Sequence, residues 1–99
     1  PQVLVLHLKR WHFDTATLQT EKIRTRVSFE TFVRLDAENT YDLRSVVVHA
    51  GVVGGGHHTA YVRAQDNRWY FCDDRARPRP CSTEEVLSAS AYMLFYERR

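Results

Sequence analysis

Alternation of apolar and polar residues along the chain predicts a β-sheet. Val3–Trp11 is apolar and rich in β-branched residues, which predicts a strand covered on both faces and central in its sheet. Lys22–Phe29 and Tyr41–Val48 alternate with a period of two, a pattern typical of strands that keep one face in water. The apolar stretch Ala91–Glu97 predicts a final, internal strand.

Polar segments separate these strands. Phe13–Glu21 and Asp36–Thr40 predict loops. Gln65–Asn67 has the chemistry of a tight turn, so the segments on either side of it, His58–Ala64 and Arg68–Cys72, predict the two strands of a hairpin. The two strands of this hairpin are therefore predicted to be antiparallel.

The pattern predicts a single, short helix. Ser82 and Glu85 fit a capping box, with the helix running from Thr83 to Ala89. The prolines of Arg75–Pro80 lack N–H donors, which keeps that segment out of a central strand. The predicted fold class is therefore mainly β, an antiparallel sheet with one short helix.

Composition narrows the class of protein. The chain has 99 residues, of which 43% are hydrophobic, enough for one small domain. A net charge of +2 gives no case for nucleic acid, and no apolar run is long enough to span a membrane. Two cysteines are too few for a disulfide scaffold. These features predict a soluble, intracellular domain of the cytoplasm or nucleus, and the opening at Pro1 directly into a strand predicts a segment of something larger.

One stretch combines glycines, histidines and carboxylates. Gly54–Gly56 leads into His57 and His58, and the predicted hairpin ends at Asp73. If the hairpin turn centres near Asp66, paired residue numbers sum to about 131–133, so His57 faces the region just after Asp73. A carboxylate bonded to one imidazole nitrogen fixes the tautomer and makes the other nitrogen more basic. The spacing allows such a pair, although ordinary surface residues at strand ends are the simpler interpretation of spacing alone.

A metal site is a second hypothesis for the same region. Its ligands would come from His49, His57, His58, Cys72 and Asp73. The chain contains no paired-cysteine or histidine spacing that is typical of zinc sites. No metal and no cofactor are therefore predicted.

The cysteines and the arginine-rich segment are further candidates. Cys81 precedes the predicted helix start, a position that can lower a thiol pKa, but inert packing is the simpler interpretation for both Cys81 and Cys72. The arginines of Arg75–Pro80 could bind an acidic partner. A solvated connection is the simpler interpretation of that segment as well.

Five ordered blocks of sequence resemble a known family. They are VLVLHLKRW, YDLRSVVVHAG, GGHHTAYV, WYFCDD and AYMLFYERR, and together they span nearly all of the chain. In this order and spacing the chain is similar to the C-terminal half of the catalytic domain of ubiquitin-specific proteases, which are papain-like cysteine deubiquitinases. The resemblance implies that residues 1–99 are the C-terminal palm part of a papain-like α+β domain whose N-terminal, nucleophile-bearing part is absent.

The resemblance implies roles for residues at matching positions. His57 corresponds to the catalytic histidine, Asp73 to the acid of the triad, and Asp74 to a polar residue that helps to stabilise the oxyanion. The implied substrate-binding residues are His49, Gly51, Gly55, Gly56 and His58. Neighbours in a strand point to opposite faces, so only one of the paired histidines can meet Asp73, and the motif favours His57.

The implied activity is thiol-dependent hydrolysis of the isopeptide bond after the C-terminal glycine of ubiquitin. The block that carries the family's cysteine has no counterpart here, so the chain would supply the histidine and the aspartate alone, and in isolation it is predicted to be inactive. The implied partners are the ubiquitin tail, ubiquitinated proteins and the N-terminal half of the catalytic domain. The alternative is a catalytically inactive ubiquitin-binding module, either a pseudoenzyme or a fragment.

Overall fold

The computed structural model describes residues 2–9, 11–22, 27–50, 56–74 and 76–99, and for residues 11–14, 21 and 50 it describes the backbone alone. Nine strands and one helix lie within these ranges. In chain order they are β1 (Val3–His7), β2 (Trp11–Asp14), β3 (Gln19–Lys22), β4 (Phe32–Arg34), β5 (Thr40–Ala50), β6 (His57–Arg63), β7 (Trp69–Cys72), β8 (Arg79–Cys81), α1 (Thr83–Leu87) and β9 (Ala91–Arg98). The predicted fold class, a mainly antiparallel sheet with one short helix, is confirmed.

Most of the described strands form one antiparallel sheet. Its order is β1-β9-β5-β6-β7-β8, and β4 pairs with the beginning of β5. β5 is central, because β9 lies along one of its edges while β4 and β6 share the other. The predicted strands Tyr41–Val48 and Ala91–Glu97 and the hairpin around Gln65–Asn67 are all present in this sheet.

The buried core comes from β5, β7, β9 and α1. Its members are Tyr41, Leu43, Val46, Trp69, Val86, Ala91, Leu94 and Tyr96. The buried positions of β5 change from odd to even after Leu43, because the pairing of β5 with β9 shifts between Leu43 and Ser45. An extra residue in one strand reverses which side chains face the core. A bulge therefore interrupts the alternation predicted for Tyr41–Val48.

β1 lies at the edge of the sheet, so the prediction of a central, doubly covered strand over Val3–Trp11 is wrong. Among the described residues β1 pairs with β9 alone, and Val3 and Val5 are about half exposed at 51% and 45%. Apolar density indicates that a strand favours burial, but it does not say which element covers it. The predicted strand also ends early, at His7.

The next segment of the chain is a hairpin rather than a loop. β2 and β3 pair in register from Trp11–Lys22 to Asp14–Gln19, so the prediction of a loop over Phe13–Glu21 is wrong in part. A loop was predicted because this segment lacks apolar alternation, and a two-stranded hairpin outside the main sheet can form without that alternation. Residues 23–26 of the predicted strand Lys22–Phe29 lie outside the described part of the chain, and Val27–Phe29 are not in a strand.

The helix and the segment before it follow the sequence closely. Ser82 caps α1, and its Oγ accepts a hydrogen bond from the backbone N–H of Glu85 at 3.1 Å. The helix ends at Leu87, two residues before the predicted end at Ala89. Pro80 lies in β8, which pairs with β7 at the edge of the sheet, as the missing N–H donor requires. No helix in the described residues is long and apolar enough to cross a membrane.

Candidate active site

The hairpin of β6 and β7 sets the geometry of the site. Its ladder runs from Arg63–Trp69 to Ala60–Cys72, so the paired numbers sum to 132, inside the predicted range. The turn is tied by hydrogen bonds from the N–H of Ala64 to the carbonyl of Arg68 and from the N–H of Arg68 to Oδ1 of Asp66, both 2.9 Å long. The register places the start of β6 and the end of β7 at the same end of the sheet.

His57 and Asp73 meet at this end. Nε2 of His57 forms a hydrogen bond with Oδ1 of Asp73, and the two side chains keep 51% and 41% of their surface exposed. Asp73 lies one residue beyond the ladder and begins a turn, in which the N–H of Ala76 donates to its carbonyl at 2.8 Å. Asp74 follows with a left-handed φ of 44° and is exposed. Within the described part of the chain Asp74 makes no hydrogen bond to the imidazole, so the structure brings together two of the three predicted catalytic residues, His57 and Asp73.

His58 occupies the other face of β6. Its ring lies 4.6 Å from that of His49 and 5.7 Å from that of Tyr92, measured between centroids. Alternation along the strand therefore separates the neighbouring histidines, and it is His57 that contacts the carboxylate. No pattern in the sequence indicated that Tyr92 would join this cluster, because Tyr92 belongs to β9 and meets the histidines only through the order of the strands in the sheet.

The other predicted substrate-binding residues lie at the end of β5 or follow it in the chain. His49 and Ala50 are the last residues of β5, which runs two residues beyond the predicted end at Val48, and they pair with His58 and His57. The carbonyl of His49 also accepts a hydrogen bond from Nζ of Lys22 at 2.7 Å. Gly56 is exposed and has a φ of 100°, a conformation that a side chain would disfavour. Gly51 and Gly55 lie outside the described residues.

The surroundings of Cys81 do not activate its thiol. Burial, followed by the nearby Glu85 carboxylate, raises the pKa of the Cys81 thiol. The position before a helix start, which can lower a thiol pKa, therefore does not dominate at Cys81. Cys72 is half-buried in β7 opposite Ala60.

Arg79 of the arginine-rich segment has a structural partner. Its guanidinium donates two hydrogen bonds to the Glu85 carboxylate, at 3.2 and 2.7 Å, and lies 5.1 Å from the centre of the Phe71 ring. The Tyr61 hydroxyl donates to the same carboxylate at 3.2 Å. The bonds from Arg79 are the main reason that the pKa of Glu85 is lowered. This part of the segment is thus a connection between β8, α1 and β6 rather than a free anion-binding loop.

The described residues contain no group of three or more histidine, cysteine or acidic side chains arranged to bind a metal ion. The hydrogen bond between His57 and Asp73 supports acid–base chemistry. A solvent-accessible imidazole with a carboxylate at one nitrogen can accept and return a proton at the other.

Comparison with known sequences identifies the family. The family model described as ubiquitin carboxyl-terminal hydrolase matches residues 1–96. Ubiquitin carboxyl-terminal hydrolase 12 of Saccharomyces cerevisiae is 39% identical over an alignment 111 positions long, which covers 100% of this chain and 8% of that protein. Ubiquitin carboxyl-terminal hydrolase 2 of Homo sapiens is 38% identical over an alignment 106 positions long, which covers 98% of this chain and 17% of the relative. The chain thus spans less than a fifth of the length of these relatives.

Solved structures share the fold. A structure of the SAGA Ubp8/Sgf11/Sus1/Sgf73 DUB module matches with a TM-score of 0.90 and 31% identity, over 100% of this chain and 24% of the matched chain. The same module bound to ubiquitin aldehyde matches with a TM-score of 0.88 and 31% identity, over 100% of this chain and 25% of the matched chain. These matches agree with the papain-like fold that the sequence implied. On the extent of the family match and the identity to its members, the chain belongs to the ubiquitin carboxyl-terminal hydrolase family.

Proposed function

We propose that residues 1–99 form the C-terminal segment of a ubiquitin-specific protease catalytic domain and supply two of the three groups of its catalytic triad. The observation that carries this proposal is the hydrogen bond between His57 and Asp73 in a chain that belongs to a family of ubiquitin hydrolases. The reaction would be hydrolysis of the isopeptide bond that follows the last glycine of ubiquitin. We propose that the protein acts in the cytoplasm or nucleus, in line with its composition.

We propose that Nδ1 is the atom of His57 that transfers protons. Nε2 is bonded to Asp73, so Nδ1 is the nitrogen that remains for a substrate or a nucleophile. With Nε2 protonated, Nδ1 is an acceptor and would take the proton of a cysteine thiol as the sulfur attacks the carbonyl carbon. The imidazolium would then return that proton to the leaving lysine amine, which leaves a thioester. Water, deprotonated by Nδ1, would attack this thioester and release the ubiquitin carboxylate, with the proton returning to the cysteine sulfur. Asp73 would orient the ring and stabilise its positive charge.

The thiol would come from a part of the protein outside these residues. The raised pKa of Cys81 disfavours the thiolate at that position. Cys72 precedes Asp73 by one residue in sequence, and neighbours in an extended chain point to opposite sides. We therefore propose that neither cysteine is the nucleophile, and that the 99 residues alone have no hydrolytic activity.

Ubiquitin is the proposed substrate and partner. A matched Ubp8 module has been solved with ubiquitin aldehyde and another with monoubiquitin. By analogy, the tail of ubiquitin would lie near His49, Gly51, Gly55, Gly56 and His58, and Asp74 would lie near the developing oxyanion. No cofactor is needed for this chemistry, because all proton transfers use side chains.

A ubiquitin whose C-terminus carries a vinyl electrophile tests the proposal. The intact protein should form a covalent adduct with this probe, and peptide mapping should place the modified cysteine outside residues 1–99. The 99-residue chain alone should form no adduct. An adduct on Cys72 or Cys81 would contradict the assignment of the nucleophile.

The same probe distinguishes the enzyme from a ubiquitin-binding module without activity. An intact protein that binds ubiquitin but forms no adduct, and cleaves no fluorogenic ubiquitin substrate, would be such a module. That outcome would overturn the proposed catalytic role of His57 while leaving the family assignment unchanged.

A further inference from the structure

A cleft of about 260 Å³ lies at the end of the sheet away from His57. It is lined by Asp42 of β5, Arg63 of β6 and Trp69 of β7, among other residues. Arg63 is the last residue of β6 and His57 is the first, so the length of the strand, roughly 20 Å, separates the two. The cleft is thus a second concave site, remote from the His57–Asp73 pair.

One of the two arginines in the cleft is already paired. Arg99 donates to both carboxylate oxygens of Asp42, from Nε at 3.2 Å and from Nη2 at 2.8 Å. Its guanidinium also lies 5.8 Å from the centre of the Phe32 ring. The bonds from Arg99 are the main reason that the pKa of Asp42 is lowered, so the carboxylate is charged at neutral pH and its charge is balanced.

The second arginine, Arg63, gives the cleft an excess of positive charge. Within the described part of the chain, the buried Nε of Arg63 has no hydrogen-bond partner. A guanidinium that is removed from water on one side, without gaining a hydrogen-bond acceptor from the protein, is incompletely solvated. Such a cation attracts a nearby anion more strongly than a fully hydrated one does. Arg63 and Arg99 against Asp42 give the lining a formal charge of one positive unit.

The residues that line the cleft indicate which kind of anion would fit. The lining is mostly polar, and its smaller apolar part comes from Phe32, which is half exposed, and from Trp69, which is almost fully buried. Asn67 and Thr83 add neutral groups that can donate hydrogen bonds. A single negative charge on a short aliphatic stem would match both the charge and the walls, whereas a phosphate dianion would leave a negative charge unbalanced.

We propose that this cleft binds the carboxylate of an acidic side chain, glutamate or aspartate, carried by a protein segment. The carboxylate would accept hydrogen bonds from the guanidinium of Arg63, and its methylene stem would pack against the exposed side of the Phe32 ring. This inference does not depend on the proposed hydrolase activity, because it uses none of the residues assigned to that activity.

The indole N–H signal of Trp69 provides a local readout. The intact protein, labelled with ¹⁵N-tryptophan and assigned with a Trp69→Phe variant, is titrated at constant ionic strength with N-acetyl-glutamate-N-methylamide. The neutral N-acetyl-glutamine-N-methylamide and inorganic phosphate are titrated in parallel. The glutamate compound should shift the Trp69 signal in a saturable manner, at least tenfold more tightly than the glutamine compound or phosphate.

Variants then locate the anion. Arg63→Gln should weaken binding of the glutamate compound by at least tenfold, whereas Arg77→Gln, which removes the same charge from an exposed position outside the cleft, should change it by less than twofold. Should Arg63→Gln not fold, the comparison of the two compounds in the unsubstituted protein still decides whether an anion is required.

Four results would overturn the proposal. A Trp69 signal that responds to neither compound would mean that the cleft is closed or filled in the intact protein. Equal responses to the glutamate and glutamine compounds would exclude a charge requirement, and equal or tighter binding of phosphate would exclude a carboxylate site. Unchanged affinity in Arg63→Gln would exclude the assigned cation.

Discussion

His57 and Asp73 form a hydrogen bond although the ladder that joins their strands ends before either residue. The last pair of the β6–β7 ladder is Ala60 with Cys72, and continuation of that register would place His57 two residues beyond Asp73. The chain instead leaves the ladder and turns at Asp73, with Asp74 in a left-handed conformation. A turn at the end of β7 therefore brings the carboxylate to the imidazole.

Replacement of His57 tests its proposed role as the base. His57→Ala in the intact protein should reduce kcat for a fluorogenic ubiquitin substrate by about 10² to 10⁴, the usual contribution of general acid–base catalysis. His58→Ala should affect KM more than kcat, because His58 contacts His49 and Tyr92 on the other face of the strand. If His58→Ala abolished turnover while His57→Ala kept the kcat of the unsubstituted protein, His58 rather than His57 would be the base.

Replacement of Asp73 tests the orientation of the ring. Asp73→Ala leaves Nε2 of His57 without its acceptor, so kcat should fall by about 10² or more. Asp73→Asn retains an oxygen that can accept the same hydrogen bond and should recover a large part of that loss.

Glu84→Gln is the matched control for charge, since Glu84 is exposed in the first turn of α1. Its kcat should stay within about twofold of the unsubstituted protein, as expected for a surface change remote from the site. Equal activities of Asp73→Ala and Glu84→Gln would show that Asp73 has no part in the reaction.

The Asp42–Arg99 pair predicts a loss of stability in acid. Its hydrogen bonds lower the pKa of Asp42 below its ordinary value of 3.8. A carboxyl whose pKa is lower in the folded state stabilises the fold above the unfolded value, and this contribution disappears as the pH falls through the folded value. Urea unfolding should therefore show Asp42→Asn less stable than the unsubstituted protein at neutral pH, with the difference shrinking below about pH 4. A difference that stays constant from pH 7 to pH 2 would argue against the pair as its source.

The cap of α1 should contribute measurably to stability. Ser82→Ala removes the oxygen that accepts from the N–H of Glu85, which typically costs about 1 kcal/mol in the free energy of unfolding. Ser90→Ala, at an exposed position after the helix, should cost less than about 0.5 kcal/mol. Chemical denaturation compares the two variants, and equal costs would mean that the hydrogen bond at Ser82 contributes nothing.

The raised pKa of Cys81 predicts slow alkylation. At pH 8 the thiolate fraction of Cys81 should be smaller than that of a cysteine in an unstructured peptide, because burial disfavours the charged form. Mass spectrometry after iodoacetamide treatment should show modification of Cys81 several times more slowly than of the reference peptide. Modification as fast as the peptide, or faster, would contradict the raised pKa.

The sequence determined those elements whose residues interact over short distances. The β6–β7 hairpin follows from its turn residues, and the start of α1 follows from Ser82 and Glu85, because both depend on hydrogen bonds between residues a few positions apart. The sequence also indicated His57 and Asp73 as candidates, because the residue numbers of paired positions in a hairpin have a nearly constant sum. The family pattern then favoured His57 over His58.

Only the tertiary structure decided which strands are neighbours and what covers them. The edge position of β1, the bulge of β5 after Leu43 and the packing of Tyr92 against His49 and His58 all depend on β9, which lies far from them in sequence. The cleft at Arg63 is a similar case, since Asp42, Trp69 and Arg99 reach it from separate strands and from the end of the chain. Contacts of this kind arise from the register between distant strands, and a periodic pattern within one strand carries no information about that register.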